Sequence, residues 1–324
     1  MSNEVTGTII KGVGGLYTVR ITESPLHEVG TQISCRARGS FRHAHTSPLP
    51  GDRVTLLRSD GTEGQQTSKG KKEMASGYVI DKIHERHNAL IRPPMANLNY
   101  LFITLAAAAP EPILTTVDKL IAIAEYNRIE PVIVITKKEL NPTYARELYE
   151  LYSLCGFSCF CVSSVSGEGI DELESWMREH LRGNISAFAG ASGIGKSTLM
   201  NRLFPHLSLS TSEISRKIER GRHTTRQVEL FPLSEDAHCG YIADTPGFSM
   251  LDFERFHFFD KEDLPETMRE FLPYIGQCRY TKCSHTKEEG CAILQAVKEG
   301  KIPPSRHASY LELYETLKNK KKWN

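Results

Sequence analysis

The chain has 324 residues, enough for about two domains of roughly 100–200 residues each. Forty Lys and Arg residues against 39 Asp and Glu give a net charge of +1, which excludes a highly charged disordered chain and a uniformly basic nucleic-acid coat. The most apolar stretch, 101–109, is far shorter than the roughly 20 residues of a membrane span. No secretory signal is visible, so the eight cysteines are expected to be reduced thiols or metal ligands of a cytoplasmic protein.

Residues 1–80 contain short alternating runs that are separated by turn residues. The runs are Thr6–Ile10, Leu16–Ile21, Gln32–Arg38, Arg53–Arg58 and Gly77–Ile83. Their length and spacing predict a small antiparallel β-barrel. Ten Lys and Arg against seven Asp and Glu in this segment favour an anionic partner, although only mildly.

From about residue 98, apolar strands alternate with amphipathic helices. The predicted strands are Tyr100–Ala107, Pro131–Ile135 and Phe157–Val162, and the helices that follow them are 117–129, 144–154 and 170–181. This alternation predicts a parallel α/β sheet that continues to about residue 247. Beyond it the pattern is mostly helical, and residues 278–324 carry ten Lys and Arg against five Asp and Glu. That excess is compatible with RNA contact and also with a solvated helix face.

A phosphate loop is predicted between the strand 185–188 and the helix that follows it. The pattern G-x4-G-K-[ST] is formed by Gly190, Ala191, Ser192, Gly193, Ile194, Gly195, Lys196 and Ser197, with Thr198 next in the helix. Lys196 would reach the β- and γ-phosphates, and the Ser197 hydroxyl would bind Mg²⁺. The alternative is a chance glycine turn before a helix. The loop predicts a nucleoside triphosphate without choosing the base.

Two segments typical of nucleotide switches follow the phosphate loop. Asp244 ends the apolar strand Tyr241–Ala243 and begins the sequence D-x-x-G, so its carboxylate can join the Mg²⁺ shell while the Gly247 N–H senses the γ-phosphate. Between the two lies Gly221–Arg226, in which the Thr225 hydroxyl would complete the Mg²⁺ shell only while the γ-phosphate is present. Each segment alone is common, but their order on one domain makes them support each other.

Two segments suited to base recognition precede the phosphate loop. Residues 136–139, with Thr136, Lys137 and Glu139, nearly match [NT]-K-x-D, whose carboxylate accepts hydrogen bonds from guanine; Glu139 is one methylene longer than the usual Asp. Residues 163–167, which begin with Ser163 and Ser164, resemble the S-A-K loop that contacts guanine O6. Taken alone, 136–139 is better explained as a solvated charge cluster at a helix start. Ordinary GTPases place both segments after the phosphate loop, so this order looks like that of a circularly permuted GTPase.

A cysteine and histidine cluster predicts a metal site near the C-terminus. Cys278, Cys283, His285 and Cys291 lie within fourteen residues and offer four ligands, enough for a closed, structural, tetrahedral zinc site. The alternative is four unrelated residues. The remaining cysteines lie on apolar runs and are expected to be small core residues: Cys35, Cys155, Cys159, Cys161 and Cys239.

Together these features resemble the bacterial ribosome small-subunit-dependent GTPase A family. The resemblance rests on Gly51-Asp52, Gly221–Thr225, the run from Asp244 to Phe248 and the zinc spacing. It implies an OB-fold RNA-binding barrel over 1–80, a circularly permuted α/β GTPase domain over 81–250 and a mostly helical zinc-binding domain over 251–324. It also implies GTP hydrolysis stimulated by the small ribosomal subunit, late in the maturation of that subunit. The implied ligands and partners are GTP or GDP with Mg²⁺, one structural Zn²⁺ and rRNA, with no membrane, for a monomer.

The residue that orients the attacking water is less defined. Phe248 stands where many GTPases carry a Gln, and the resemblance suggests His223, beside the switch threonines, with Lys196 and Thr225 completing the catalytic group. A rival interpretation is that His223 packs or contacts rRNA. Two other functions stay open: an rRNA-binding checkpoint module whose hydrolysis serves only release, and, because of Glu139, a phosphate-loop ATPase or kinase.

Overall fold

A computed structural model describes residues 4–43, 46–58, 77–207, 228–236, 238–244 and 259–319. The strands in chain order are β1 Val5–Val13, β2 Leu16–Glu23, β3 Gln32–Ala37, β4 Arg53–Arg58, β5 Tyr78–Ile83, β6 Ala89–Leu90, β7 Met95–Ala96, β8 Leu98–Ala106, β9 Glu130–Thr136, β10 Ser158–Cys161, β11 Ile185–Ala189, β12 Glu229–Pro232 and β13 Tyr241–Asp244. The α-helices are α1 Ser40–His43, α2 Leu114–Tyr126, α3 Pro142–Leu154, α4 Ile170–His180, α5 Lys196–Leu203, α6 Ala292–Lys298 and α7 Pro304–Lys318.

The chain divides into two compact units. The first comprises Met1–Asn99, Glu179–Ala187 and Arg216–Gly247, and the second comprises Tyr100–Arg178, Phe188–Ser215 and Phe248–Asn324. The first unit includes β12 and β13 because β1 of the barrel pairs with β12. The division into three domains at residues 80 and 250 stays a prediction.

In the first unit, β1–β5 form a five-stranded barrel. The strands follow the order β1-β2-β3-β5-β4, and β4 closes back onto β1. Every neighbouring pair is antiparallel except β3 with β5, which is parallel. A five-stranded closed sheet of this kind is the OB-fold, so the predicted barrel is confirmed. Its interior is filled by alternate apolar residues, fully or almost fully buried: Val5, Ile9, Val19, Ile21, Ile33, Cys35, Val54, Leu56 and Ile80.

Gly51 and Asp52 lie in a tight turn immediately before β4. Gly51 has φ +94°, and a Cβ there would lie 2.0 Å from the Ala96 carbonyl oxygen, so only glycine fits. The buried Asp52 carboxylate accepts hydrogen bonds from Nε and Nη2 of Arg86, both at 2.7 Å, and from the Leu49 N–H at 2.7 Å. These bonds fix the turn, because a buried carboxylate without partners would be costly.

Two further strand contacts complete the first unit. The hairpin of β12 and β13 is antiparallel, and β13 pairs in parallel with β11. On its other edge, β12 pairs with β1 through Lys11 and Glu229. The antiparallel strand β12 had not been foreseen in the sequence.

In the second unit, β8, β9 and β10 form a parallel ladder in that order. Helices α2 and α3 connect these strands, and α4 follows β10. Trp176 of α4 packs edge-on against Tyr100, Phe102 and Phe160. This arrangement confirms the predicted α/β alternation, with α2 beginning three residues earlier than expected. Because the strands are parallel, the loops that follow β8 and β9 leave the same edge of the ladder.

Residues 259–319, the described C-terminal part of the second unit, contain two 3₁₀ turns, Leu264–Thr267 and Arg269–Tyr274, followed by α6 and α7. The predicted helical character of this region is therefore confirmed. In the described part of the chain, no helix combines the length and apolarity that a bilayer span requires.

Candidate functional site

The phosphate loop runs from the end of β11 into α5. Gly190, Gly193 and Gly195 all have positive φ angles, of +145°, +79° and +91°. A Cβ at Gly190 would lie 2.4 Å from both the carbonyl and the Oγ1 of Thr104, so the first glycine is required where the loop passes β8. Ile194 is buried and anchors the loop. The side of the loop open to solvent consists of Ala191, Ser192, Gly193, Ser197 and Thr198, with Lys196 half-buried.

The segment 136–139 is hydrogen-bonded directly to the phosphate loop. The buried Thr136 hydroxyl donates to the Ile194 carbonyl at 2.5 Å. Nζ of Lys137 donates to the carbonyl oxygens of Gly193 at 2.8 Å and Ala109 at 2.6 Å. The carboxylate of Glu139 is exposed in the turn that follows. These bonds fix the spacing between Glu139 and the phosphate loop, which a site for a whole nucleotide requires.

The segment 163–167 is a closed turn beside 136–139. Ser163 is fully buried; its Oγ accepts from the Ser166 N–H at 3.0 Å, and its N–H donates to the Glu168 carbonyl at 2.9 Å. Nζ of Lys138 pairs with the Glu168 carboxylate at 2.6 Å and thereby joins the two segments. The Ser164 carbonyl accepts from Nη1 of Arg202 at 3.2 Å, so α5 contacts this turn as well.

The four predicted metal ligands form a cluster at the start of α6. The ligand atoms of Cys278, Cys283, His285 and Cys291 all lie within 4.8 Å of one another. The Cys278 and Cys291 sulfur atoms are 3.8 Å apart, and each lies 3.5 Å from Nδ1 of His285. A regular tetrahedron with Zn–S bonds of about 2.3 Å has edges of about 3.8 Å, so this donor set fits Zn²⁺. Burial raises the pKa of the Cys283 thiol to about 12, and the neighbouring thiols act in the same direction.

Hydrogen bonds around the cluster hold its loop in place. The Glu288 carboxylate accepts from the backbone N–H of Ser284 at 2.8 Å and from those of Thr286 and Lys287 at 3.0 and 3.1 Å. Burial opposes ionisation of Glu288, but the bonds from Ser284 and Lys287 outweigh it and lower its pKa to about 2. From α7, the Tyr310 hydroxyl donates to the Ser284 carbonyl at 2.7 Å. The ligand loop is therefore preorganised by groups outside the donor set.

Comparison with known proteins decides the family. The RsgA GTPase family matches residues 83–254, and the RsgA N-terminal domain matches residues 6–65. A relative from Caldanaerobacter subterraneus, named small ribosomal subunit biogenesis GTPase RsgA, is 38% identical over 319 residues, which cover 98% of this chain and 97% of its own. The chain belongs to the RsgA GTPase family. A relative of the same name from Ruminiclostridium cellulolyticum is 37% identical and covers 97% of this chain and 94% of its own.

Solved structures agree with this RsgA assignment. The crystal structure of YjeQ from Thermotoga maritima matches with a TM-score of 0.77 and 30% identity, over 98% of this chain and 100% of the other. The structure of YloQ, described as a circularly permuted GTPase, matches with a TM-score of 0.72 and 28% identity, over 99% of this chain and 97% of the other. The chain is thus a GTPase with a circularly permuted motif order, as the sequence predicted.

In this member of the family, the structure brings together the phosphate loop, 136–139 and 163–167. It also brings together the four predicted metal ligands. His223, Thr225 and Gly247 lie outside the described residues, and Asp244 is placed by its backbone only, at the end of β13. Sequence reasoning missed Arg202 and Glu288, because neither belongs to a motif and both act through contacts with backbone groups.

Proposed function

We propose that the chain is a GTPase acting in the late maturation of the small ribosomal subunit, with hydrolysis stimulated by the docked subunit. The observation that carries this proposal is the direct bonding of Thr136 and Lys137 to the phosphate loop, in a chain of the RsgA family. Relatives that cover nearly the whole chain are named small ribosomal subunit biogenesis GTPases. An ATPase or kinase finds no support in that family.

The phosphate loop binds the triphosphate of GTP in this proposal. Backbone N–H groups of residues 190–198 face the phosphates, and Lys196 reaches the β- and γ-phosphates. Ser197, Thr225 and Asp244 hold Mg²⁺, which neutralises charge on the β- and γ-phosphates when it is bound. The Gly247 N–H contacts the γ-phosphate. These roles follow from the motif pattern, and the positive φ angles of the loop support them.

Guanine is read by the two segments that precede the phosphate loop. The exposed Glu139 carboxylate accepts hydrogen bonds from guanine N1–H and the 2-amino group, a pair that adenine does not offer. Backbone N–H groups at Ser163 and Ser164 face O6. Lys137 fixes the distance between this base site and the phosphates through its bonds to Gly193 and Ala109.

His223 orients the attacking water when the chain is docked on the subunit. An imidazole can do so only when it lies within hydrogen-bond reach of the water. His223→Ala is expected to abolish stimulation by the subunit and to leave GDP affinity unchanged. If the variant kept full stimulation, His223 would instead be a packing or rRNA-contacting residue.

The flanking parts provide rRNA contact. We assign residues 1–80 to an RNA-binding barrel, 81–250 to the GTPase and 251–324 to the zinc-binding domain, to which movement of the D-x-x-G switch is passed. Residues 1–80 and 278–324 each carry an excess of Lys and Arg over Asp and Glu, which suits a phosphate backbone. Since its partner is the small ribosomal subunit, the chain acts in the cytoplasm without a membrane, and it acts as a monomer.

GTP and ATP hydrolysis with and without purified small subunits tests this function, with Lys196→Ala as the inactive control. The expected result is GTP-specific turnover that rises on adding subunits, together with tighter binding of GDP than of ADP. Equal affinity for ADP would refute guanine recognition. Release of the protein from the subunit with hydrolysable and non-hydrolysable GTP then separates turnover from a checkpoint in which hydrolysis serves only release.

A further inference from the structure

The hairpin of β12 and β13 stands between the two switch segments along the chain. The segment 221–226 runs into β12, and β13 runs into the D-x-x-G sequence that begins at Asp244. The two strands are paired over their whole length, from Glu229 with Asp244 to Pro232 with Tyr241. A domain that fixes the position of this hairpin therefore also fixes the position of one end of each switch segment.

The OB barrel holds this hairpin through Arg20. Arg20 lies on β2 and is 3% exposed. Its Nη2 donates to the carbonyl oxygens of Glu235 at 3.0 Å and Asp236 at 3.1 Å, in the turn between β12 and β13. Its Nη1 lies 3.5 Å from the Cys239 sulfur and 3.5 Å from the Tyr241 hydroxyl. One guanidinium thus contacts both the turn of the hairpin and the start of β13.

Arg20 links the barrel to the hairpin through hydrogen bonds rather than through an ion pair. Among the described residues, the four partners of its side chain are neutral groups, and two of them are main-chain carbonyls. A buried guanidinium needs several hydrogen bonds because it has lost its hydration. Those bonds exist only while the turn at Glu235 and Asp236 lies against the barrel. The planar fork of arginine can reach two carbonyls at once, which a lysine ammonium does less well.

A second contact holds the other strand of the hairpin. Lys11 of β1 is the register partner of Glu229 at the start of β12, and its Nζ lies 2.7 Å from the Glu229 carboxylate. Both side chains are about 40% exposed, at 40% and 37%. This pair lies at the end of β12 next to the segment 221–226, whereas Arg20 lies at the turn. Barrel and hairpin are therefore joined at both ends of the hairpin.

We propose that Arg20 is a positioning residue for subunit-stimulated GTP hydrolysis, because it fixes the hairpin between the switch segments to the RNA-binding barrel. When the barrel docks on the small subunit, the hairpin is held with it, and both switch segments start from a fixed point. Without Arg20 the barrel still docks and Lys11 still contacts Glu229, but the turn of the hairpin is no longer held, and the docked state selects the hydrolytic arrangement less well. This inference rests on the proposed stimulation by the subunit.

The first experiment compares Arg20→Met with Arg53→Met. Arg53 lies on the same barrel, in an exposed pair with Glu23, and makes none of the hairpin contacts described for Arg20. At saturating subunit, the stimulated kcat of Arg20→Met is expected to fall at least fivefold. Fivefold is the lower end of the effects that one site typically has on another in the same protein. Basal kcat stays within about twofold in each variant, and the buried Arg20→Met also keeps its affinity for the subunit within about twofold. At saturating subunit, Arg53→Met keeps its stimulation, and Arg20→Lys recovers part of the loss.

The second experiment exchanges the charges of Lys11 and Glu229. It does not depend on the folding of Arg20→Met, which GDP binding checks. Lys11→Glu places two carboxylates opposite each other on β1 and β12 and is expected to lower stimulation. Lys11→Glu combined with Glu229→Lys restores the pair and the stimulation. Because the pair is solvent-accessible, neither variant threatens the core.

The outcomes separate this inference from the proposed function. If the unaltered protein is not stimulated by subunits, the proposed function fails and the inference fails with it. If the unaltered protein is stimulated and folded Arg20→Met is stimulated equally, only the inference is overturned. Loss of subunit affinity in step with stimulation also overturns it, since Arg20 would then serve docking. If Arg20→Met does not fold, failure of the charge exchange to restore stimulation overturns it.

Discussion

Arg306 and Asp118 form an ion pair that is buried on both sides. Nη1 of Arg306 lies 2.5 Å from Oδ1 of Asp118, with the two side chains 0% and 1% exposed. Nε of Arg306 also donates to Glu270 at 2.7 Å, and the Tyr152 hydroxyl donates to Asp118 at 3.1 Å. Burial raises the pKa of Asp118, against the attraction of Arg306. This cluster joins α7, the last helix, to α2, which immediately precedes β9 and the base-recognition segment.

Arg306→Met is expected to lower the free energy of unfolding by about 3–5 kcal/mol, because it leaves two buried carboxylates without their cation. Urea unfolding of the full chain, followed by fluorescence, measures it. The matched control is Arg269→Met, whose partners Glu125 and Glu130 are 20% and 41% exposed. The control should cost less than Arg306→Met does, because Glu125 and Glu130 keep part of their hydration when Arg269 is removed. If both variants lost the same free energy of unfolding, burial would not be what makes the Arg306 ion pairs costly to break.

The sequence predicted the chemistry-bearing loops well because their geometry is local. The glycines at 190, 193 and 195 encode positive φ angles through their residue type alone. The four metal ligands lie within fourteen residues, so their meeting needs only a short loop. Both sites were predictable because residue types at short distances along the sequence determine their local structure.

Features that depend on distant partners were not predictable in the same way. Strand β12 has four residues, and its pairing with β1 joins Lys11 to Glu229 across 218 positions. Arg20 and Arg306 belong to no sequence motif, and only the folded chain brings their partners to them. Helix α2 begins at Leu114 after Ile113, which makes no side-chain cap, so no start signal marked that boundary.

Lys137→Met is expected to weaken GDP binding by about 10- to 100-fold, because two hydrogen bonds from a charged donor to the loop carbonyls are lost. Titration of fluorescent GDP measures the change. The neighbouring Lys138→Met is the control: its Nζ pairs with Glu168, which is 65% exposed, rather than with the phosphate loop. Lys138→Met should change GDP affinity less than threefold, as a partly exposed pair contributes little. A reversed order of the two effects would refute the role given to Lys137.

Cys291→Ser is expected to remove the bound zinc and to loosen the segment around α6, since a structural site supplies folding energy to its surroundings. Metal analysis should give one zinc per chain before the change and none after it. Limited proteolysis should then cut near residues 278–291 while GDP binding persists. Cys161→Ser is the control, because Cys161 is half-buried outside the cluster and its sulfur lies 3.5 Å from the Ala145 carbonyl. Zinc retained in Cys291→Ser at full stoichiometry would count against the site.

His84 makes the stability of the barrel depend on pH in a direction that can be tested. Burial lowers the pKa of His84 below its ordinary 6.5, and the charges of Arg53 and Lys82 act in the same direction. Folding therefore favours the neutral imidazole, whose Nε2 lies 3.0 Å from the Thr55 hydroxyl. Its contribution is fully present above pH 6.5 and is lost as the pH falls through the lowered pKa.

His84→Gln removes this titration and keeps a polar group beside Thr55. Between pH 7.5 and pH 5, the unaltered protein is expected to lose more of its free energy of unfolding than His84→Gln does, with the difference arising below about pH 6.5. Urea unfolding at closely spaced pH values measures both curves. Above about pH 7.5 the two curves should run parallel, because His84 is neutral in the folded and the unfolded chain there. A steeper loss in His84→Gln would mean that folding favours the charged imidazole, opposite to the direction inferred from burial and the two neighbouring cations.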